Sequence, residues 1–134
     1  MSNQSIQIRE LIEGNDKIMR DHTERLRDIQ EAIANIEKYS ARGKQIFVEN
    51  ELIQVWMIYH LQIIGKISSA IPESFIYLHP EVSLNTIKYF RNFFVYEYLK
   101  YLRCDLDTVW SITKDEIPDL KQQINQILSK LESL

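Results

Sequence analysis

Residues 116–134 read EIPDLKQQINQILSKLESL, and in them Ile117, Leu120, Ile124, Ile127, Leu131 and Leu134 recur at spacings of three and four without a break. That period draws one apolar stripe along an α-helix and does not fit a strand, whose side chains change face at every residue. Pro118 falls in the first turn of a helix starting near Asp115 or Glu116, where its missing N–H costs nothing. A helix of this length can run the full height of a bundle, and its stripe needs other helices to cover it.

The chain supplies them. Leu26, Ile29, Ile33 and Ile36 repeat the pattern in a helix that Asp21 or Thr23 can cap and that Ser40-Ala41-Arg42-Gly43 ends, with Gly43 suited to a positive φ. Asn50 opens another helix, predicted to run to about Ala70, with Glu51 well placed in its first turn. It is apolar on two sides. Leu52, Val55, Trp56, Tyr59, Ile63 and Ile67 make one face, and Ile53, Ile58, Leu61 and Ile64 make the other. Such a helix is either central in a bundle or shared between a core and a dimer interface. Ser83 or Asn85 caps a fourth helix to about Tyr101, its core stripe being Ile87, Phe90, Phe94 and Tyr98. Residues 74–79 between Pro72 and Pro80 make a short helix or packed loop, and Asp105 or Asp107 caps one or two further turns. No strand-like alternation of useful length occurs. The expectation is an all-α, up-and-down bundle of four main helices plus short helices, spanning residues 21–134. Residues 1–20 are an N-terminal extension, predicted to be interrupted at Gly14-Asn15-Asp16.

One domain is expected from 134 residues, and an apolar fraction of 45% is enough for a real core. The longest apolar run is far short of the roughly 18 residues that span a bilayer, so no membrane is implied. Residues 1–5 lack the basic and apolar blocks of a signal peptide. A lone Cys104 cannot pair internally, which suits a reducing, cytoplasmic setting. The net charge of −3 does not advertise nucleic-acid binding, but its distribution is uneven. Residues 84–103 carry Lys88, Arg91, Lys100 and Arg103 against Glu97, while the flanking segments are acidic. A basic helix in an acidic chain steers a polyanion to one place, although four cations also fit a solvated face.

Arg91 is the cation that asks for an explanation, because it sits among Ile87, Phe90, Phe94 and Val95. A guanidinium there is met by a carboxylate such as Glu97, or it points into a cleft that receives phosphate. Cleaving RNA without a metal requires a base for the 2′-OH, an acid for the leaving 5′-oxygen and a cation for the phosphorane. Arg91 suits the last role, since its planar fork meets two phosphate oxygens at once. Tyr96 is a poor base, because roughly one phenol in a thousand is ionised at neutral pH. On an ideal helix Arg91 and Tyr96 diverge by about 140°, whereas Arg91 and Tyr98 nearly superpose. A second subunit would be one way to complete a site from Arg91 and Tyr96. His60 could stand near the motif and replace an absent imidazole. His22, His60 and His79 lack metal-ligand spacing, so no metal and no cofactor is expected.

Arg91-Asn92, three further residues, Tyr96, one residue and Tyr98 resemble the signature of the HepT-like branch of the HEPN ribonucleases, which has histidine where this chain has Tyr96. The likeness continues in Arg25-Leu26-Arg27-Asp28-Ile29, in Leu61-Gln62-Ile63-Ile64-Gly65-Lys66, in His79-Pro80-Glu81, and in Asp105-Leu106-Asp107 through Trp110 to Ile117-Pro118. It covers about 110 residues in order. Lys66 stands where an acidic residue is usual, and about three extra residues separate Tyr98 from Asp105.

The resemblance implies a HEPN-type bundle that dimerises and cuts RNA, tRNA or mRNA, without metal. It implies Arg91, Asn92 and Tyr96 at the catalytic positions, and Arg91, Lys66 and Lys88 against RNA phosphate. It further implies the toxin of a toxin–antitoxin pair. The partner would be an MntA-like minimal nucleotidyltransferase antitoxin that AMPylates Tyr98, placing negative charge beside Arg91. The departure at Tyr96 leaves a second expectation open: a weakened or inactive HEPN protein that binds nucleotide, RNA or the nucleotidyltransferase.

Overall fold

The computed structural model describes residues 3–95 and 105–133, with side chains given for 5–10, 21–92 and 105–133. The chain is all-α, with no strand among the described residues. Four longer helices, α1 (Asn3–Ser40), α3 (Glu51–Ala70), α5 (Leu84–Val95) and α7 (Ile117–Glu132), are joined through the short α2 (Lys44–Glu49), α4 (Glu73–Leu78) and α6 (Leu106–Ser111). The up-and-down bundle expected from the apolar periods is thus the fold observed.

Helix ends follow the local chemistry. Asn50 accepts the Ile53 backbone N–H on its side chain at 3.1 Å and starts α3. Ser83 receives the Thr86 N–H at 3.4 Å and Asp105 that of Thr108 at 3.3 Å, opening α5 and α6. Gly43, at φ 99°, turns the chain between α1 and α2 in the region that L side chains rarely adopt. His79 caps α4 in non-helical geometry just before Pro80.

The core forms where α1, α3, α5 and α7 meet. Leu26, Ile29, Ile33 and Ile36 from α1, Met57, Ile58, Leu61 and Ile64 from α3, Ile87 and Phe90 from α5, and Leu120, Ile124 and Ile127 from α7 are all buried. The last helix therefore lays down the stripe read from its sequence. Along their outer edges α1 and α7 run antiparallel. Arg27 meets Glu132 at 3.1 Å, Gln30 donates to Asn125 at 2.9 Å, and Lys121 meets Glu37 at 3.0 Å. Such exposed pairs set register more than they stabilise. The second face of α3 is divided: Trp56, Ile63 and Ile67 pack against this core, while Leu52 and Tyr59 are 81% and 57% exposed.

Two expectations are corrected. Gly14-Asn15-Asp16 does not interrupt the first helix, so Asp21 and Thr23 are not its caps: α1 is continuous from Asn3 to Ser40. A single helical glycine costs only about 1 kcal/mol, which does not outweigh helix on both sides. Nor is there a break before the last helix. The chain passes from α6 to α7 through a π-helical turn, Ile112–Glu116, in which the Ile117 N–H donates to Ile112 O, five residues back. An α-helical turn would drive the Pro118 ring into the carbonyl four residues earlier, and the wider turn relieves that clash. Thr113, buried here, donates its hydroxyl to Val109 O at 3.0 Å.

Candidate active site

Arg91 rises from α5 on the side that packs against α3 and is half-buried. Its Nε–H donates to Ser68 O at 3.1 Å and its Nη2 to Ile71 O at 2.7 Å. Both carbonyls belong to the C-terminal end of α3, where the last carbonyls have no partner within the helix and the dipole favours a cation. Ser68 O also receives the Ile71 N–H. The guanidinium is therefore supported by neutral backbone groups. No ion pair among the described residues includes it. Two of its five N–H groups hold the backbone, and its full positive charge remains for an anion. The Ser68 hydroxyl beside this anchor is fully buried and has no hydrogen-bond partner among the described atoms.

The other expected residues divide into three groups. Asn92 and Lys88 lie exposed on α5, Lys88 one turn before Arg91 on a neighbouring part of the same surface. Lys66 is exposed on α3, but two residues before Ser68 it projects about 200° around that helix. Within one chain it points away from Arg91. Tyr96 and Tyr98, with Glu97, Lys100 and Arg103, lie outside the described residues.

His60 does not reach the arginine. It sits eight residues before Ser68, about 12 Å along the α3 axis, and is buried towards α1. Trp56 and Tyr59 enclose its ring at centroid distances of 4.5 and 5.2 Å. Neither ring nitrogen has a partner among the described atoms, and burial holds its pKa below the usual imidazole range, with Glu31 acting the other way. His22 and His79 flank Phe75 at 4.7 and 4.5 Å, and burial lowers both, with Arg25 and Lys130 respectively adding to the effect. All three imidazoles are built to be neutral. Among the described residues no group of three or more His, Cys, Asp or Glu side chains could hold a metal ion, and no helix is long and apolar enough to cross a membrane.

Sequence reasoning missed the partners of Arg91. Backbone carbonyls carry no side-chain signal, and these lie 20 and 23 residues away on another helix.

Fold and site together define an all-α bundle that holds one arginine by neutral groups at the junction of two helices. Comparison with known proteins then places the chain in a family. The model for that family, "Ribonuclease HepT-like", matches residues 29–127. The chain is similar to "Probable ribonuclease HepT" of Thermococcus cleftensis, 32% identical over 109 residues, covering 81% of this chain and 96% of that protein. It is also similar to "Putative RNase MJ0125" of Methanocaldococcus jannaschii, 28% identical over 86 residues, covering 64% of this chain and 72% of that protein. No solved structure gives a significant match. The chain belongs to the HepT-like ribonuclease family.

Proposed function

We propose that this protein is a metal-independent ribonuclease of the HEPN type and the toxin of a toxin–antitoxin pair. In this reading Arg91 stabilises the charge that develops on the scissile phosphate, with Asn92 and Lys88 beside it. Tyr96 supplies a proton or hydrogen bond where the family has an imidazole. The observation that carries the reading is the environment of Arg91: a half-exposed guanidinium anchored, among the described residues, by backbone carbonyls, in a chain of this family. A structural arginine is ordinarily matched by a carboxylate, and this one keeps its charge for a ligand.

The working unit is a homodimer, for which support comes from Val55 and Tyr59, exposed on the outer side of α3. Lys66, on that side of the helix, then meets RNA from the partner copy's direction rather than beside its own Arg91. The antitoxin is a minimal nucleotidyltransferase that transfers AMP to Tyr98. The adenylate phosphate would compete with RNA for Arg91 and silence the enzyme. The substrate is RNA, tRNA or mRNA.

The test is cleavage of total tRNA and of mRNA by purified protein, beside Arg91→Lys. Cutting by the parent and its loss in Arg91→Lys are expected. No cutting at any enzyme concentration removes the catalytic reading. Tyr96 specifically favours a second one, a weakened or inactive HEPN protein that still binds RNA or the nucleotidyltransferase. Intact mass after co-expression with such an enzyme tests the modification, through the gain of one or more adenylates and its loss in Tyr98→Phe.

A further inference from the structure

At the other end of α3, far from Arg91, the surface holds a pocket of about 380 Å³ lined by Tyr39, Arg42, Asn50, Leu52, Ile53 and Trp56. Its volume lies in the range of small-ligand sites. The residues are more particular than the volume. Tyr39 and Trp56 meet edge to face at 5.6 Å and 76°, making an aromatic wall. Trp56 is fixed there, since its indole N–H donates to Asn35 O of α1 at 2.8 Å. The Arg42 guanidinium lies over the Tyr39 ring, 4.8 Å from its centroid. Arg42 is exposed, and no ion pair among the described residues includes it. Asn50 uses its carbonyl oxygen to cap α3, which leaves its amide group as a donor on the pocket rim.

A rigid aromatic wall, a planar cation without a carboxylate and an amide donor are the groups that recognise an unstacked nucleobase with its phosphate. We propose that this pocket is a subsite for one unpaired nucleotide of a single-stranded RNA. The base stacks on the Tyr39–Trp56 wall. The Asn50 amide donates to an acceptor on the base edge, and Arg42 meets the adjoining phosphate. Glu49 and Glu51 flank Asn50, so the pocket is not strongly basic. Affinity here comes from stacking, and the salt dependence is that of about one phosphate contact.

The subsite extends the ribonuclease reading but does not depend on cleavage. From Ile53 to Ser68 along α3 is about 22 Å, the length of roughly six stacked nucleotides at 3.4 Å each. The axial separation of the pocket from Arg91 is thus one that a short single strand can span. The subsite would select single-stranded loops over duplex, because a paired base cannot enter.

The chain has two tryptophans, Trp56 and Trp110, so Trp110→Phe leaves Trp56 as the sole reporter. The full-length protein in that background is titrated with a 2′-O-methyl oligoribonucleotide of eight nucleotides, which resists 2′-OH chemistry. Saturable quenching of Trp56 is expected, weakened about tenfold at 0.1 M salt by Arg42→Ala, which removes the one phosphate contact. Asn50→Asp keeps the helix cap but loses the amide donor, so it weakens binding without lowering the melting temperature. The 2′-O-methyl strand cannot be cleaved by attack of the 2′-OH, so quenching of Trp56 by it separates this subsite from the catalytic reading. The proposal is overturned if Trp56 does not respond to saturating oligonucleotide. It is overturned equally if Arg42→Ala and Asn50→Asp both bind as the parent does, or if a blunt duplex binds as well as the single strand.

Discussion

Replacing Arg91 should cost stability as well as activity, and the two losses can be separated. Arg91→Ala removes the hydrogen bonds to Ser68 O and Ile71 O. Ser68 O keeps the Ile71 N–H, so Ile71 O loses the more important partner. Each bond is made by a charged donor but at a half-buried site, and together with the lost charge at the end of α3 they amount to about 2–3 kcal/mol. For a chain of this size that lowers the melting temperature by about 8–12 °C. Arg91→Lys keeps the charge, and its single ammonium can satisfy only one of two separated carbonyls, so about half the loss is expected. Urea denaturation at fixed protein concentration measures both. Cleavage behaves differently. Lysine cannot reproduce the bidentate fork, so activity should fall steeply in both variants while their stabilities differ. If Arg91→Ala unfolds within about 0.5 kcal/mol of the parent, the guanidinium does not anchor α3, and the reasoning from its carbonyl partners fails. If activity simply follows stability across the two variants, Arg91 is a structural residue and nothing more.

Acidification should weaken the fold. Burial holds His22, His60 and His79 below the ordinary imidazole range. The unfolded chain therefore takes up protons first, and stability present above about pH 6.5 is lost as the pH falls below it. The urea midpoint between pH 7.5 and 5 should drop, and a rise would contradict the burial of these rings. Tyr59→Asp alters a side chain that is 57% exposed, so it should leave the folded monomer intact. If the outer face of α3 joins two copies, the same change shifts sedimentation towards monomer at micromolar concentration. Tyr96→His should raise RNA cleavage by about a hundredfold, the usual scale for a well-placed general base or acid, and unchanged rates would count against a catalytic role at that position.

Much of the architecture could be read before any coordinates because it rests on local rules. Ile117 to Ile127 declared one buried stripe, Asn50 declared a cap, and of the two apolar faces of α3 the one with Ile53, Ile58, Leu61 and Ile64 is buried. Gly14 misled because its penalty is real but small, and cooperativity over a long helix absorbs it. Pro118 misled in the opposite sense. It looked like the first turn of a new helix, when it sits just past a widened turn of a continuing one. The site was legible only as a list of residue types. That Arg91 would donate to carbonyls at the end of α3, and that His60 would lie against α1, depend on how helices distant in sequence come together. Local pattern does not encode that. The pocket at Tyr39, Arg42 and Trp56 was hidden for the same reason, since its two aromatic rings come from helices that meet only in three dimensions.

The widened turn at Ile112–Glu116 also has a genetic consequence. It carries one residue more than an α-helical turn and absorbs it locally. Removing Lys114 would close the turn to an α-helical one and leave Leu120, Ile124 and Ile127 facing α1, but it would drive the Pro118 ring into the carbonyl four residues earlier. A one-codon deletion here should therefore be purged unless Pro118 changes with it, whereas substitutions at the solvent-facing Lys114 and Asp115 should accumulate freely.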